Sequence, residues 1–253
     1  MPRAVLAFGV SLALQIGVNY ANDYSDGVKG TDNVRVGPLR LVGSGVKSAK
    51  AVKAAALGSL GVAAVAGLVL ASLTSWWLIA VGLAAILAAW GYTGGPRPYG
   101  YAGLGEVFVF VFFGLVAVAG SAFVQHQRIT AAAVVGAFPV GLLATALLVT
   151  NNLRDIPGDT VAKKNTLAVR LGDARTRTFY VALVVVSFLG VIALAAVLRS
   201  VWPLVAFLGV ALAVVPVRAV LGGAKGRDLI PVLGATGKLQ LAVGALLVVG
   251  VLL

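Results

Sequence analysis

Apolar residues along this chain come in eight long runs, separated by polar segments. The runs lie near residues 3–19, 54–73, 76–92, 104–124, 130–150, 178–198, 202–217 and 239–253. A helix needs roughly 20 apolar residues to cross the hydrocarbon core of a bilayer, and lipid leaves only helices and closed barrels as spanning structures. The pattern predicts an all-α fold, a polytopic transmembrane helix bundle of about eight spans, as one integral-membrane domain over residues 1–253.

Composition agrees with this pattern and narrows the possible chemistry. Hydrophobic residues make up 60% of the chain and charged residues 11%, whereas soluble domains have roughly 25% charged residues. A soluble globular domain is therefore excluded. The chain has no cysteine and a single histidine, His126, so disulfides, thiolate sites and histidine pairs are excluded as well. Any bound metal must be a hard cation held by oxygen ligands.

The positive charges are distributed unevenly between the two sides of the predicted bundle. Seventeen of the 20 Lys and Arg residues lie in the loops of one side, and only Arg3, Arg128 and Arg199 lie on the other. Cytoplasmic loops of membrane proteins carry such an excess. We therefore predict a multi-pass protein of the cell membrane with its polar chemistry on the cytoplasmic side. Topology accounts for the net charge of +12, so no nucleic-acid partner is predicted.

Two acidic motifs lie where predicted spans one and five reach the cytoplasmic surface. The first motif is Asn19-Tyr-Ala-Asn22-Asp23-Tyr-Ser-Asp26, and the second motif is Asn151-Asn-Leu-Arg154-Asp155-Ile-Pro-Gly-Asp159. If the first helix continues through its motif, Asn19, Asp23 and Asp26 share one face. In the second motif Pro157 and Gly158 predict a broken turn between the two aspartates.

Paired carboxylates of this kind suit Mg²⁺, which combines one or two carboxylates with phosphate oxygens of a substrate. Basic residues follow both motifs: Lys29, Arg35 and Arg40 after the first, and Lys163, Lys164 and Arg170 after the second. Acids beside bases are the composition expected of a Mg²⁺-diphosphate site. Cytoplasmic topology alone explains the number of basic residues equally well, although it does not explain why they adjoin paired acids.

Three further segments, together with the Asn151-Asn-Leu-Arg-Asp stretch of the second motif, complete a family pattern. The three are Arg40-Leu-Val-Gly-Ser-Gly, residues 92–106, and Thr166-Leu-Ala-Val-Arg-Leu-Gly172. With the two acidic motifs, they make the chain resemble the UbiA superfamily of intramembrane aromatic prenyltransferases over nearly its whole length. Within that superfamily the segments are similar to the menaquinone branch of actinobacterial type. The family has nine helices and this chain resembles it from the second onward, so we expect one more helix of about 20 residues encoded before Met1.

The resemblance implies Mg²⁺-dependent transfer of a polyprenyl group from polyprenyl diphosphate to 1,4-dihydroxy-2-naphthoate, giving demethylmenaquinone in menaquinone biosynthesis. It implies that Asp23, Asp26, Asp155 and Asp159 hold the metal, and that Asn19, Asn22 and Asn151 complete or orient its shell. It implies that Lys29, Arg40, Arg97 and Lys164 bind diphosphate, and that Tyr92, Tyr99 and Tyr101 face the allylic carbocation. The naphthoate ring would attack this cation and then lose carbon dioxide and a proton.

Several of these residues have a second interpretation. The tyrosines of residues 92–101 also suit anchoring at the membrane interface. Glu106 begins a helix, where its charge favours the helix dipole, or it has a role near the aromatic acceptor. Arg97 is the best candidate to bind the acceptor's carboxylate.

Two alternatives to this function stay open. One is a prenyltransferase of the same superfamily with another aromatic acceptor. The other is a cation-coupled transporter with Asp23 and Asp155 as ion sites. Such sites lie near the bilayer midplane, whereas here the acids lie in loops or, for Glu106, at the start of a predicted span.

Overall fold

The computed structural model describes residues 2–31, 37 and 39–253, and Asp32 and Arg35 lie outside them. The described chain forms eight long helices. They are α1 (Pro2–Lys29), α2 (Ala49–Ser72), α3 (Leu78–Gly91), α4 (Gly105–His126), α5 (Ala131–Val161), α6 (Leu167–Leu198), α7 (Trp202–Leu221) and α8 (Gly226–Leu252). A 3-10 turn, Tyr99–Ala102, precedes α4. Within α4, residues Phe110–Ala119 are π-helical.

Seven of these helices are long and apolar enough to cross a membrane. The exception is α3, which has only 14 residues. No strand occurs in the described ranges. The predicted all-α, multi-pass membrane fold is thus confirmed.

Both acidic motifs lie within helices that extend past their apolar runs. Helix α1 carries the first motif without interruption to Lys29, as the spacing predicted. The broken turn predicted in the second motif is wrong, because α5 continues through Pro157 to Val161. An interior proline removes one hydrogen bond and crowds the carbonyl four residues earlier, yet beyond Pro157 the backbone N–H of Ala162 donates to the carbonyl oxygen of Gly158 at 2.9 Å. The helix ends at Val161, and two residues later Lys163 has a left-handed φ of 56°, the usual conformation just after a helix.

The described chain divides into two compact units. Unit one contains residues of 1–105, 123–128 and 158–166, and unit two contains 106–122, 129–157 and 167–253. The expectation of a single domain over 1–253 stays a prediction. In unit one, α1 lies against α2 where Gly17 faces the side chain of Leu60. A glycine at such a contact lets two helices approach closely in lipid.

Unit two has the larger apolar core. Its centre consists of fully buried side chains from α5, α6 and α8, including Leu143, Tyr180 and Leu239. Helices α4 and α5 come closest at Gly114 and Gly141, where a Cβ added to Gly141 would lie 2.9 Å from the Gly114 Cα. This core holds the end of α5 that carries Asn151 and Asp155.

Candidate active site

Asp23 binds the chain segment that follows the first motif. Its side chain is buried in unit one, with 6% exposed. Its Oδ2 accepts the backbone N–H of Leu41 and its Oδ1 that of Val42, both at 2.9 Å. Close approach of this segment to α1 requires Gly27, since a Cβ there would lie 2.5 Å from Val42. Asp23 therefore holds the segment that begins at Arg40.

Asp26 and Asp159 meet at one ammonium group, although they come from different motifs. The Nζ of Lys164 lies 3.1 Å from Oδ2 of Asp26 and 3.8 Å from Oδ1 of Asp159. All three residues belong to unit one, and the two aspartates are buried, with 4% and 9% exposed. Thr166 also donates to Asp159, at 3.5 Å. We call Asp26, Lys164, Asp159 and Tyr101 the acid–lysine cluster.

Tyr101 completes this cluster from the 3-10 turn before α4. Its phenol donates to Oδ1 of Asp26 at 2.7 Å, and the ammonium groups of Lys164 and Lys29 lie 4.7 and 4.9 Å from its ring centre. Burial, followed by the charge of Asp26, raises the pKa of the Tyr101 phenol above its usual range. The phenol thus stays a hydrogen-bond donor at neutral pH.

Lys29 and Asn22 both contact the segment that follows α3. Lys29 donates to the carbonyl oxygen of Thr93 at 2.6 Å and to that of Gly95 at 3.4 Å. The hydroxyl of Thr93 in turn donates to Oδ1 of Asn22 at 3.0 Å. The glycine-rich segment 93–95 is thereby held beside the first motif.

The second motif has its own network within unit two. Arg154 is 3% exposed and donates to both carboxylate oxygens of Asp155, each bond 2.7 Å long. The same guanidinium donates to Oδ1 of Asn151 at 2.7 Å. A two-point contact between a guanidinium and a carboxylate fixes the orientation of both groups. Asp155 and Asn151 are therefore held in one arrangement by a residue that the sequence did not single out.

Glu106 is buried and contacts Asn152 of the second motif. Only 5% of the residue is exposed, and its Oε1 accepts a hydrogen bond from Nδ2 of Asn152 at 3.0 Å. Its Oε2 is buried and has no hydrogen-bond partner in the described part of the chain. The helix-start position was visible in the sequence, but nothing there indicated Asn152 as the partner. Helix-dipole stabilisation alone does not require this burial.

Other predicted residues take part in local contacts. Asn19 is exposed and donates to the carbonyl oxygen of Gln15 at 2.8 Å, within its own helix. The rings of Tyr92 and Tyr99 lie 5.5 Å apart, and the Tyr99 phenol donates to Ala88. Arg97 is exposed and Arg40 is half-buried.

The predicted metal, Mg²⁺, prefers oxygen ligands such as carboxylates. The described residues contain no group of three or more acidic, histidine or cysteine side chains that could hold an ion. Mg²⁺ does not need such a group, because it takes one or two carboxylates and obtains its other ligands from water and phosphate. The carboxylates of Asp26 and Asp159 already have one positive group, Lys164, between them. This pair therefore fits a hard cation.

Comparison with known proteins assigns the family. The chain matches the UbiA prenyltransferase family over residues 2–228. It is 52% identical over 250 residues to a 1,4-dihydroxy-2-naphthoate octaprenyltransferase of Mycobacterium tuberculosis, covering 99% of this chain and 85% of that protein. A protein of the same name from Escherichia coli is 42% identical over 187 residues, which are 71% of this chain and 61% of that one.

A solved structure is similar in fold. It is a UbiA homolog from Archaeoglobus fulgidus bound to DMAPP and Mg²⁺. It matches this chain with a TM-score of 0.58 and 15% identity, over 98% of this chain and 88% of that one.

Proposed function

The chain belongs to the UbiA prenyltransferase family, and from this premise we propose that it transfers a polyprenyl group from polyprenyl diphosphate to 1,4-dihydroxy-2-naphthoate. Two kinds of support combine here. The mycobacterial and enterobacterial relatives bear the name of this activity, and residues 92–106 and 166–172 carry the branch-specific resemblance. Transfer and decarboxylation alone release the reduced form, a demethylmenaquinol, which becomes a demethylmenaquinone by a separate two-electron oxidation.

One observation carries the proposal at the level of chemistry. An aspartate of each motif lies beside the same ammonium group, with Asp26 at 3.1 Å and Asp159 at 3.8 Å from Lys164. A diphosphate with its metal requires both signs of charge in one place. The acid–lysine cluster supplies both signs within a few ångströms.

Asp23, Asp26, Asp155 and Asp159 are the residues that hold Mg²⁺ in this proposal. When bound, Mg²⁺ neutralises charge on the diphosphate as it leaves the allylic carbon. Each carboxylate oxygen has two lone pairs, so the hydrogen bonds that Asp23 makes to Leu41 and Val42 leave room for a further ligand. Asn19, Asn22 and Asn151 orient this shell.

Basic side chains bind the diphosphate oxygens. Lys164 and Lys29, whose ammonium groups lie 4.7 and 4.9 Å from the ring centre of Tyr101, supply this charge. Arg40 and Arg97 add charge from segments on the same predicted cytoplasmic side. Charge stabilisation of the leaving group promotes ionisation of the allylic carbon–oxygen bond. In this proposal the ring faces of Tyr92, Tyr99 and Tyr101 stabilise the allylic cation.

The apolar helices exclude water from the prenyl cation, which water would otherwise quench. The naphthoate ring attacks the allylic carbon, and the carboxyl group leaves as carbon dioxide. The excess of Lys and Arg in loops of one side supports a cytoplasmic entrance for both substrates.

The test is an acceptor panel. The purified chain is incubated with Mg²⁺, a polyprenyl diphosphate and, separately, 1,4-dihydroxy-2-naphthoate, 4-hydroxybenzoate or homogentisate, and products are identified by mass spectrometry. We expect prenylated product from the naphthoate alone. Product from one of the other acids but none from the naphthoate would contradict the proposed acceptor while leaving the family unchanged.

A further inference from the structure

Glu106 is a buried acid for which the proposed chemistry at the diphosphate has no use. It is the only glutamate of the chain and lies at the start of α4, which becomes π-helical at Phe110. Such π-helical segments are rare and occur frequently at functional sites. The acid lies against the second motif through its contact with Asn152. It is therefore next to the chemistry without being part of the metal shell.

The two oxygens of Glu106 differ in their partners. Oε1 accepts from Asn152 at 3.0 Å, whereas Oε2 has no partner among the described residues and is buried. A buried acceptor without a donor is strongly unfavourable, and more so when it is charged. The structure thus leaves one oxygen of a buried carboxyl group where a hydrogen-bond partner can bind.

Two polar side chains of α5, Thr150 and Arg154, donate hydrogen bonds to groups other than Glu106. The Thr150 hydroxyl donates to the carbonyl oxygen of Ala146 at 2.9 Å. Arg154 directs its guanidinium to Asp155 and Asn151. These two side chains of α5 therefore do not supply a partner for Oε2 of Glu106, and a bound ligand could.

The two substrates differ in the hydrogen-bond donors that they can offer to Oε2 of Glu106. Polyprenyl diphosphate is anionic, and its prenyl chain has no polar hydrogen. The naphthoate has two hydroxyl groups, of which the one at carbon 1 is held by an internal hydrogen bond to the neighbouring carboxylate. The hydroxyl at carbon 4 is left to donate, on the side of the ring away from the carboxylate that Glu106 would repel.

We propose that Glu106 binds the aromatic acceptor, with its Oε2 accepting a hydrogen bond from the 4-hydroxyl group. This inference rests on the proposed function, because it takes the naphthoate as the acceptor. Glu106 thereby selects acceptors that have a second hydroxyl group.

The experiment compares ligands that differ at carbon 4 alone. Binding of 1,4-dihydroxy-2-naphthoate and 1-hydroxy-2-naphthoate to the purified full chain is measured by calorimetry under anaerobic conditions, without prenyl diphosphate. The wild-type chain is expected to prefer the dihydroxy compound by about 10- to 100-fold, the range for a hydrogen bond to a charged group. In Glu106→Gln the bond from Asn152 is kept and the preference is lost, while affinity for the monohydroxy compound is unchanged.

Controls separate this role from a purely structural one. Asp228→Asn removes an acid of the 3-10 turn that begins α8 and should keep the wild-type preference. A third ligand, 4-methoxy-1-hydroxy-2-naphthoate, has the oxygen without its proton and should bind the wild-type chain about as weakly as the monohydroxy compound. This third measurement needs no variant and stands even if Glu106→Gln does not fold.

The outcomes are distinguishable. An unchanged preference in Glu106→Gln, equal weakening of both ligands in that variant, or no preference in the wild-type chain would overturn the inference and leave the proposed function standing. If the wild-type chain binds neither naphthoate, the proposed acceptor fails, and the role of Glu106 fails with it.

Discussion

Asp23 is proposed to hold the metal, and it also binds the backbone of Leu41 and Val42. Its substitution should therefore affect both catalysis and stability. Asparagine has a single acceptor oxygen, so Asp23→Asn leaves either Leu41 or Val42 facing an amide nitrogen. We expect loss of prenyl transfer together with a lower melting temperature, from a free-energy loss of about 1–3 kcal/mol. Transfer assays and thermal unfolding in detergent measure the two effects, with Asp228→Asn as control. Full transfer that still requires Mg²⁺ would remove Asp23 from the metal shell.

Lys164 lies where a metal would compete with it. Replacing it by glutamine removes the positive charge between Asp26 and Asp159. In the absence of diphosphate we expect Lys164→Gln to bind Mn²⁺, a probe for Mg²⁺, about tenfold more tightly than wild type, since a gain of about 1.4 kcal/mol is tenfold. Electron paramagnetic resonance measures free Mn²⁺, and Lys163→Gln, an exposed neighbour, is the matched control. Equal affinity in both variants would mean that the pair is not a metal site.

The phenol of Tyr101 acts through Asp26. Tyr101→Phe keeps the ring and removes the 2.7 Å hydrogen bond, so we expect transfer to fall by about fivefold, for a loss of about 1 kcal/mol. Because burial raises the pKa of this phenol, the donor persists as pH rises through about 10, the usual tyrosine value. The ratio of the wild-type rate to the rate of the Tyr101→Phe variant should therefore stay constant from neutral pH up to that value. A ratio that falls toward one across that range would show that the phenol titrates there.

The sequence could not predict the hydrogen-bond partners of the candidate residues. Residue type and spacing predicted Asp23, Asp26, Asp155 and Asp159 as one metal site, because Mg²⁺ is bound by carboxylates together with phosphate oxygens. Nothing local to Asp23 indicated that Leu41 and Val42 would fold back onto it. Asn152 was overlooked because a single asparagine has no pattern until Glu106 lies beside it.

At the scale of elements, close helix packing in unit two depends on glycine. A Cβ on Gly141 would lie 2.9 Å from the Gly114 Cα and 3.0 Å from the Phe110 ring. We expect Gly141→Ala to lower stability by about 1–3 kcal/mol, the usual cost of overpacking. On the same helix, Gly136→Ala meets only the side chain of Leu194 at 3.6 Å and should be nearly neutral. Melting temperatures of the two variants in one detergent decide this; equal values would contradict the packing.

Helix boundaries were predicted well in the lipid-facing parts and poorly at the polar ends. The apolar runs give the length of chain that crosses the lipid. In the structure α1 extends past its apolar run to Lys29, and α5 extends past its apolar run to Val161. Pro157 suggested a break that does not occur. A proline removes one hydrogen bond, and the bonds of the neighbouring turns suffice to continue the helix. A proline in the sequence therefore predicts a helix break near a polar site less reliably than hydropathy predicts the length of a membrane span.

At the scale of the whole molecule, charge distribution predicts sidedness. Lys47 is exposed between α1 and α2, and Arg128 is exposed after α4. The chain has no cysteine, so Lys47→Cys and Arg128→Cys are unique labels. In intact cells an impermeant maleimide should label the second variant and not the first, because the basic loops face the cytoplasm. The opposite pattern would place the candidate residues on the outer side.

Fold and family were the most predictable features at this scale. Hydropathy predicted a multi-pass bundle, and the motifs predicted the UbiA family; the helices and the family match confirm both. These properties depend on long stretches of sequence, in which single errors cancel. Sidedness and the metal shell depend on a few residues, and they stay predictions.

The most direct test of the proposed activity follows the carboxyl group of the acceptor. The purified chain is given Mg²⁺, a polyprenyl diphosphate and 1,4-dihydroxy-2-naphthoate labelled with ¹³C in its carboxyl group, and released ¹³CO₂ and diphosphate are measured together. We predict one CO₂ for each diphosphate, with neither released by Asp159→Asn. Diphosphate release without labelled CO₂, or equal release by the variant, would contradict the account.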